Sequence, residues 1–268
     1  MNVRTPAVAG QFYPKNKISL EKQLSELFVY EKELFDAKGA IMPHAGYVYS
    51  GPVVANVASQ IKPKDFYIVI GPNHTGYGKP FSLMASGIWR TPLGDISIDD
   101  KFSDRLLETS RYLKADYQAH IYEHSIEVEL PFLQYKNKSF KLVPIVITSA
   151  TLDTYSTIGR ELAECVKEFK VDTTIIASSD FTHYEEHETA SRKDKIAIEA
   201  ILELDEKRFL KAISEYEITA CGYAPIAVML VAVKLLGAKK AHLVKYQTSG
   251  NTSGDYESVV GYAGIIIT

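Results

Sequence analysis

Short apolar runs rich in β-branched residues recur along this chain and limit what it can fold into. They read "AIMP" at 40–43, "FYIVIG" at 66–71, "FKLVPIVI" at 140–147, "TTIIASS" at 173–179, "AHLVKYQT" at 241–248 and "SVVGYAGIIIT" at the end. Each has the length and composition of a buried strand. Segments with helical spacing lie between them. "SLEKQLSELFVYEKE" aligns Leu20, Leu24, Leu27 and Phe28, and "TLDTYSTIGRELAECVKEF" aligns Tyr155, Ile158, Leu162, Val166 and Phe169. This alternation predicts an α/β fold with a mixed, partly parallel central sheet flanked by helices on both faces. "PIAVMLVAVKLLG" is apolar nearly all round and predicts a central buried helix ended by Gly237. "SGIWRTPLGDISIDD" is read as an insertion forming a short edge hairpin.

The 268 residues would suit one large α/β domain or two small ones. No linker, repeat or low-complexity tract divides them, so a single domain over 1–268 is expected. The 33 acidic and 30 basic residues are spread along the sequence, and no basic stripe exists that could track a phosphate backbone. Nucleic acid is therefore not an expected partner. Nowhere do about 18 apolar residues run consecutively, and the first residues lack the hydrophobic stretch of a secretory signal. No membrane association is expected, and the cytoplasm is the expected location. The only cysteines are Cys165 and Cys221, with no C-x-x-C pair. Cys165 falls beside the apolar face of its helix and is read as core.

Three of the apolar runs end in the same way. "GAIMPHAGY" delivers His44, "YIVIGPNH" delivers His74, and "TIIASSDFTH" delivers Asp180 and His183 just past the strand. In an open α/β sheet the carboxyl ends of parallel strands share one edge, where ligands and reactive groups collect. The spacing therefore predicts that His44, His74 and His183 meet. Two imidazoles on such loops suit a metal, with a third, anionic ligand leaving coordination positions open. Cys221 in "ITACGYAP" is the candidate third ligand, since the following helix N-terminus would favour its thiolate. The alternative readings are loop histidines satisfied by hydrogen bonds and a small buried cysteine.

Asp180 and His183, three apart, suit a general base and its orienting partner; a helix N-cap is the alternative. In "YEHSIEVELPFLQY" the spacing is not H-E-x-x-H, so a protease-type zinc helix is unsupported. Ser125 and the acids after it read as a capped helix start near Pro131, and His124 is the residue there that could face the pocket. The Gly-rich "TSGNTSGD" and "GPNHTGYGK" lack the Lys-Ser/Thr of a phosphate-binding loop and read as turns.

Taken in order, "PHAGYVYSG", "GPNH", "WRTPLGD", "EHSIEVELPFL", "SSDFTH" and "CGYAP" resemble the Memo family, whose fold is similar to that of LigB-type class III extradiol dioxygenases. The resemblance runs from "AVAGQFYP" to "SVVGYAG". It implies a single LigB-like α/β domain with a metal pocket at one sheet edge. It makes His44 and His74 metal ligands and His183 the acid/base, and it places Cys221 where the dioxygenases carry a carboxylate. It also implies pocket aromatics at Phe12 and Tyr49. A thiolate there softens the site toward copper(I), zinc or more covalent iron.

The expected cofactor is a metal ion, iron first, with copper or zinc as alternatives. The expected function is metal-dependent redox chemistry, dioxygenase-like, on a small aromatic or phenolic molecule, with His124 lining the substrate side and Asp180 orienting His183. The alternatives are a non-catalytic pocket that recognises a peptide or protein, and a zinc-dependent hydrolase. The resemblance further implies an AMMECR-type protein and a radical-SAM protein as functional partners.

Overall fold

The computed structural model describes residues 2–268. Its centre is a parallel array in which Lys141–Ile147, Phe66–Pro72, Thr174–Ser178 and Gly39–Met42 lie side by side in that order. The strand expected over 66–71 runs one residue further, to Pro72. Beyond Gly39–Met42 the sheet becomes antiparallel, through Val259–Ile267 and then Ala241–Thr248. The Ile88–Thr91 and Gly94–Ile98 strands form the expected hairpin toward the opposite edge. The α/β reading of the sequence holds, including a mixed sheet covered on both faces.

Side-chain alternation shows why both faces must be covered. Along Phe66–Pro72, Phe66, Ile68 and Ile70 enter one apolar core, whereas Tyr67 and Val69 enter the other. Ile175 and Ala177 join the first and Ile176 the second, as expected for strands apolar on both sides. Helices Leu152–Phe169, His187–Leu202 and Tyr223–Leu235 cover the first core. Helices Lys17–Leu27, Tyr47–Gln60 and Leu130–Lys136 cover the second. Tyr223–Leu235 is buried along almost its whole length and is followed by Gly237 at φ 88°, which only glycine adopts freely. Cys165 is buried, as expected. No helix among the described residues is long and apolar enough to cross a membrane.

Three local expectations are corrected. The first helix stops at Leu27, with Phe28 in extended conformation as its C-cap, so the predicted face is shorter. Ser125 does not cap the helix near Pro131; that helix starts after Glu129 without a side-chain cap, and the Ser125 hydroxyl donates to the Pro72 carbonyl instead. Asp180 does not cap a helix. The next helix begins at His187, and Thr182 bonds Asp194.

The register determines where function can sit. Met42 pairs with Ser178, and Pro72 pairs with Ile147, so these strands end at one level. His44, His74 and Asp180 each follow two residues after Met42, Pro72 and Ser178. The N-terminal segment is tied beneath this edge. Arg4 is buried, forms an ion pair with Glu127, and donates to the carbonyls of His120 at 3.0 Å and Glu123 at 2.5 Å. Glu127 also accepts from Ala7 N–H at 2.8 Å, Val8 N–H at 3.1 Å and the Tyr13 hydroxyl at 2.5 Å. Replacing Arg4 by Leu strands the Glu127 charge in the core. Urea denaturation of Arg4→Leu should show a loss of roughly 3–5 kcal/mol; a midpoint equal to that of the parent protein would contradict this role.

Candidate metal centre

His44 is almost fully buried, and its position is held by two neighbouring strand-end loops. Its backbone N–H donates to Asp180 Oδ1 at 2.8 Å, and its ring Nδ1 lies 2.7 Å from Ser178 Oγ. The Ser178 hydroxyl proton is already directed to the Ser125 carbonyl at 2.7 Å. Ser178 can therefore only accept from His44, which places the imidazole proton on Nδ1 and leaves the Nε2 lone pair free. That Nε2 faces Cys221 Sγ at 3.2 Å.

His74 is arranged in the same manner by a different partner. Glu123, fully buried, receives the His74 ring Nδ1 at 2.8 Å and the His74 backbone N–H at 2.6 Å. The Ser125 N–H donates to the same carboxylate at 3.0 Å. A carboxylate behind an imidazole fixes the proton on the rear nitrogen and makes the front one a better ligand. Gly71 lies beneath this contact; a Cβ there would meet Ser125 Oγ at 2.3 Å.

Cys221 reaches the centre because Gly222 has no side chain. A Cβ on Gly222 would lie 2.1 Å from the Ser178 carbonyl oxygen. The Gly222 N–H donates to Ser179 Oγ at 3.0 Å, and the Asp180 N–H donates to Cys221 Sγ at 3.3 Å. One ligand atom each from His44, His74 and Cys221 lies within 4.8 Å of the others. Around a tetrahedral ion, metal–nitrogen and metal–sulfur bonds of about 2.0 and 2.3 Å set a nitrogen–sulfur separation of about 3.6 Å. The 3.2 Å between His44 Nε2 and Cys221 Sγ needs only a small opening to reach it. The donor set therefore fits a metal ion.

Contacts bring His124 and Phe12 beside the same two histidines. His124 stacks on His74 with ring centres 4.7 Å apart and meets His44 edge-on at 5.4 Å. Phe12 packs edge-on against His124 at 5.1 Å, carried there by the segment that Glu127 anchors. Tyr49 is partly exposed, and it and Tyr184 both act on Tyr262, which also senses Asp180. The charge of His183 is felt by both His44 and Asp180. One detail differs from expectation. The His183 ring is oriented by the Thr219 carbonyl, 3.0 Å from Nδ1, while Asp180 orients the His44 backbone.

Electrostatics reinforce the geometry. Burial pushes the His44 imidazole well below its ordinary range, and the neighbouring imidazoles, His74 foremost, act in the same direction, so it is neutral and able to ligate. Burial pushes the Cys221 thiol well above its ordinary value, with Asp180 adding to the effect. This corrects the expectation that the helix N-terminus makes a ready thiolate: the helix starts at Tyr223, and desolvation outweighs it. A cation at the centre would supply the missing compensation. Burial likewise raises Asp180 to about 6, although the His44 N–H and nearby imidazoles oppose it.

Comparison with known proteins adds family membership. Residues 4–266 match the model of the Memo-like protein family. The chain belongs to that family. A Memo-like relative, a MEMO1 family protein of Methanosarcina acetivorans, is 46% identical, with 100% of both chains covered. MEMO1 family proteins of Methanopyrus kandleri and Aquifex aeolicus are 42% and 44% identical, each covering at least 98% of both chains. Among solved structures, an uncharacterized protein from Escherichia coli K12 shares the fold with a TM-score of 0.58 at 15% identity, over 85% of this chain and 98% of that one.

The pair behind His74 makes a pH prediction. Burial works against the Glu123 charge, yet the His74 hydrogen bond, His74 and His124 charges and the Ser125 N–H pull its carboxyl from 4.5 to about 2. Its stabilisation is present above 4.5 and is lost as pH falls toward 2. Burial opposes the His74 charge too, but Glu123 raises it above 6.5, so that share is present below 6.5 and is lost as pH rises through the raised value. Glu123→Gln should therefore cost most, about 1–3 kcal/mol, between these limits and progressively less below about pH 4. Urea denaturation across pH checks this; a constant difference between variant and parent would contradict it.

Proposed function

We propose that this Memo-like protein holds a metal ion, iron first and copper or zinc as alternatives, between His44, His74 and Cys221, and uses it in redox chemistry on a small aromatic or phenolic molecule. The observation that carries the reading is the matched pair of buried acceptors behind the two imidazoles. Ser178 and Glu123 each take an Nδ1 proton, so both Nε2 lone pairs are available beside one sulfur. A redox-active ion bound there supplies electron transfer and open coordination positions for small ligands.

The chain's own residues supply the rest. With its Nδ1 engaged by Thr219, His183 offers Nε2 as the acid/base on the rim. His124 and Phe12 pack together as one wall, and the exposed ring of Tyr49 is assigned to the substrate on the resemblance alone. Asp180 holds the His44 backbone in place. A dioxygenase-like reaction is the enzymatic form of this proposal, and a cytoplasmic setting suits two unpaired thiols. Zinc would leave the same ligands to a hydrolytic role, since two histidines, a cysteine and a water form a known catalytic zinc set.

A second reading is favoured by the exposed rings of Tyr77, Tyr122 and Tyr184, which flank the loops that carry the centre in sequence. Tyr184 has φ 59°, an uncommon conformation for an aromatic residue and one that clusters at functional sites. Such rings suit a peptide or protein partner, and the AMMECR-type and radical-SAM proteins are proposed partners on the resemblance alone.

Elemental analysis of protein purified without oxygen should give about one metal per chain. Cys221→Ser and His44→Ala should each retain at least about tenfold less. Metal-free parent protein, or equal metal in the variants, would overturn the assignment. Oxygen uptake with a phenolic substrate, abolished in His44→Ala, would support the enzymatic form; partner capture unchanged in His183→Ala and Cys221→Ser, with no turnover, would favour the binding form.

A further inference from the structure

Near Ser178 lies a carboxyl group with no part in the proposed ligand set. Glu129 is fully buried, and neither of its oxygens has a hydrogen-bond partner among the described residues. The Ser178 hydroxyl is close enough to act on its charge, yet the pair stands outside hydrogen-bonding geometry. An ionised carboxylate in such surroundings is costly, and a buried carboxyl without a partner is held as the neutral acid. Burial raises Glu129 well above the usual carboxylate range; the Ser178 hydroxyl opposes this, and Asp180 adds to it. Buried Tyr47 also senses the Glu129 charge.

The hydrogen-bond pattern then has one open position on each side. Ser178 donates its proton to Ser125 and accepts from His44 Nδ1, which leaves one lone pair on its oxygen. Neutral Glu129 has one O–H to donate. We propose that Glu129 is a positioning residue for the metal centre: its carboxylic O–H donates to Ser178 Oγ and closes a chain, Glu129 to Ser178 to His44, that holds the imidazole with Nε2 toward Cys221. The proposal rests on the metal-binding reading of His44. No bond is made or broken, and no ligand is required.

Two substitutions separate a hydrogen-bonding role from mere space filling. Glu129→Gln keeps a donor at the same place, and Glu129→Leu removes it; Glu129→Met, of similar length, replaces the Leu variant should that one not fold. In the metal-free protein, nitrogen NMR of the His44 imidazole should show the Nδ1–H tautomer in the parent and in Glu129→Gln, and a mixture of tautomers in Glu129→Leu. Cobalt(II) titration, followed by the thiolate charge-transfer band, should give Glu129→Gln an affinity within about threefold of the parent and Glu129→Leu about tenfold weaker. Ser178→Ala should match Glu129→Leu, and the double variant should be no weaker than Ser178→Ala alone. A parent-like tautomer and affinity in Glu129→Leu would overturn the proposal, as would equal damage in Glu129→Gln. If the parent binds no cobalt(II), the metal reading fails, and the tautomer comparison still judges Glu129 by itself.

Discussion

The register of four parallel strands is the constraint on which the rest of this molecule depends. Met42 opposite Ser178 and Pro72 opposite Ile147 bring separate loops out at one height. No helix or loop could correct a slip by one residue, because each strand is apolar on both faces and a slip would exchange its two cores. The same burial that holds the register therefore places His44, His74 and Asp180 at one edge. Chain separation is irrelevant once the strands are paired.

A second layer of control lies in protons. The imidazoles of His44 and His74 stand in different surroundings, one against a hydroxyl and one against a carboxylate, yet both are left with Nε2 free. The carboxylate behind His74 is itself held by a backbone N–H, and the carbonyl of the same residue is gripped by Arg4. Arg4 thus connects the N-terminal segment to the centre, and the same segment delivers Phe12 against His124. Cys221 is the exception to this pre-arrangement: burial raises its thiol well above the ordinary range, so ligation by sulfur would depend on the arrival of a cation.

Much of this is legible in the sequence, because strand-like runs that each end in His or Asp record both the fold and its functional edge. Those endings mark His44, His74, Asp180 and His183, and the position of Cys221 just ahead of the buried helix marks the sulfur. His124 stands out as the histidine of an acid-rich segment, while Phe12 and Tyr49 depend on the family resemblance. What the sequence conceals are the groups that act from behind. Glu123, Glu127 and Glu129 read as the polar start of a helix, since acids near a proline usually face water, yet all three are fully buried. Acids interleaved with Ile126, Val128 and Leu130 are the available signal, an alternation that puts charge where only a partner can tolerate it. The Tyr47–Gln60 helix is also hidden, because Gly51-Pro52 looks like a turn and Pro52 removes one helical hydrogen bond. That Thr219 rather than Asp180 orients His183 depends on a contact between distant loops, which spacing along the chain does not encode.

The central claim is that one ion touches two imidazole nitrogens and one sulfur at the ends of these strands. X-ray absorption at the metal edge of the loaded protein tests it most directly. The account predicts a shell containing one sulfur at about 2.3 Å together with imidazole scattering from two histidines, the sulfur vanishing in Cys221→Ser. A shell of nitrogen and oxygen alone, unchanged by that substitution, would contradict it.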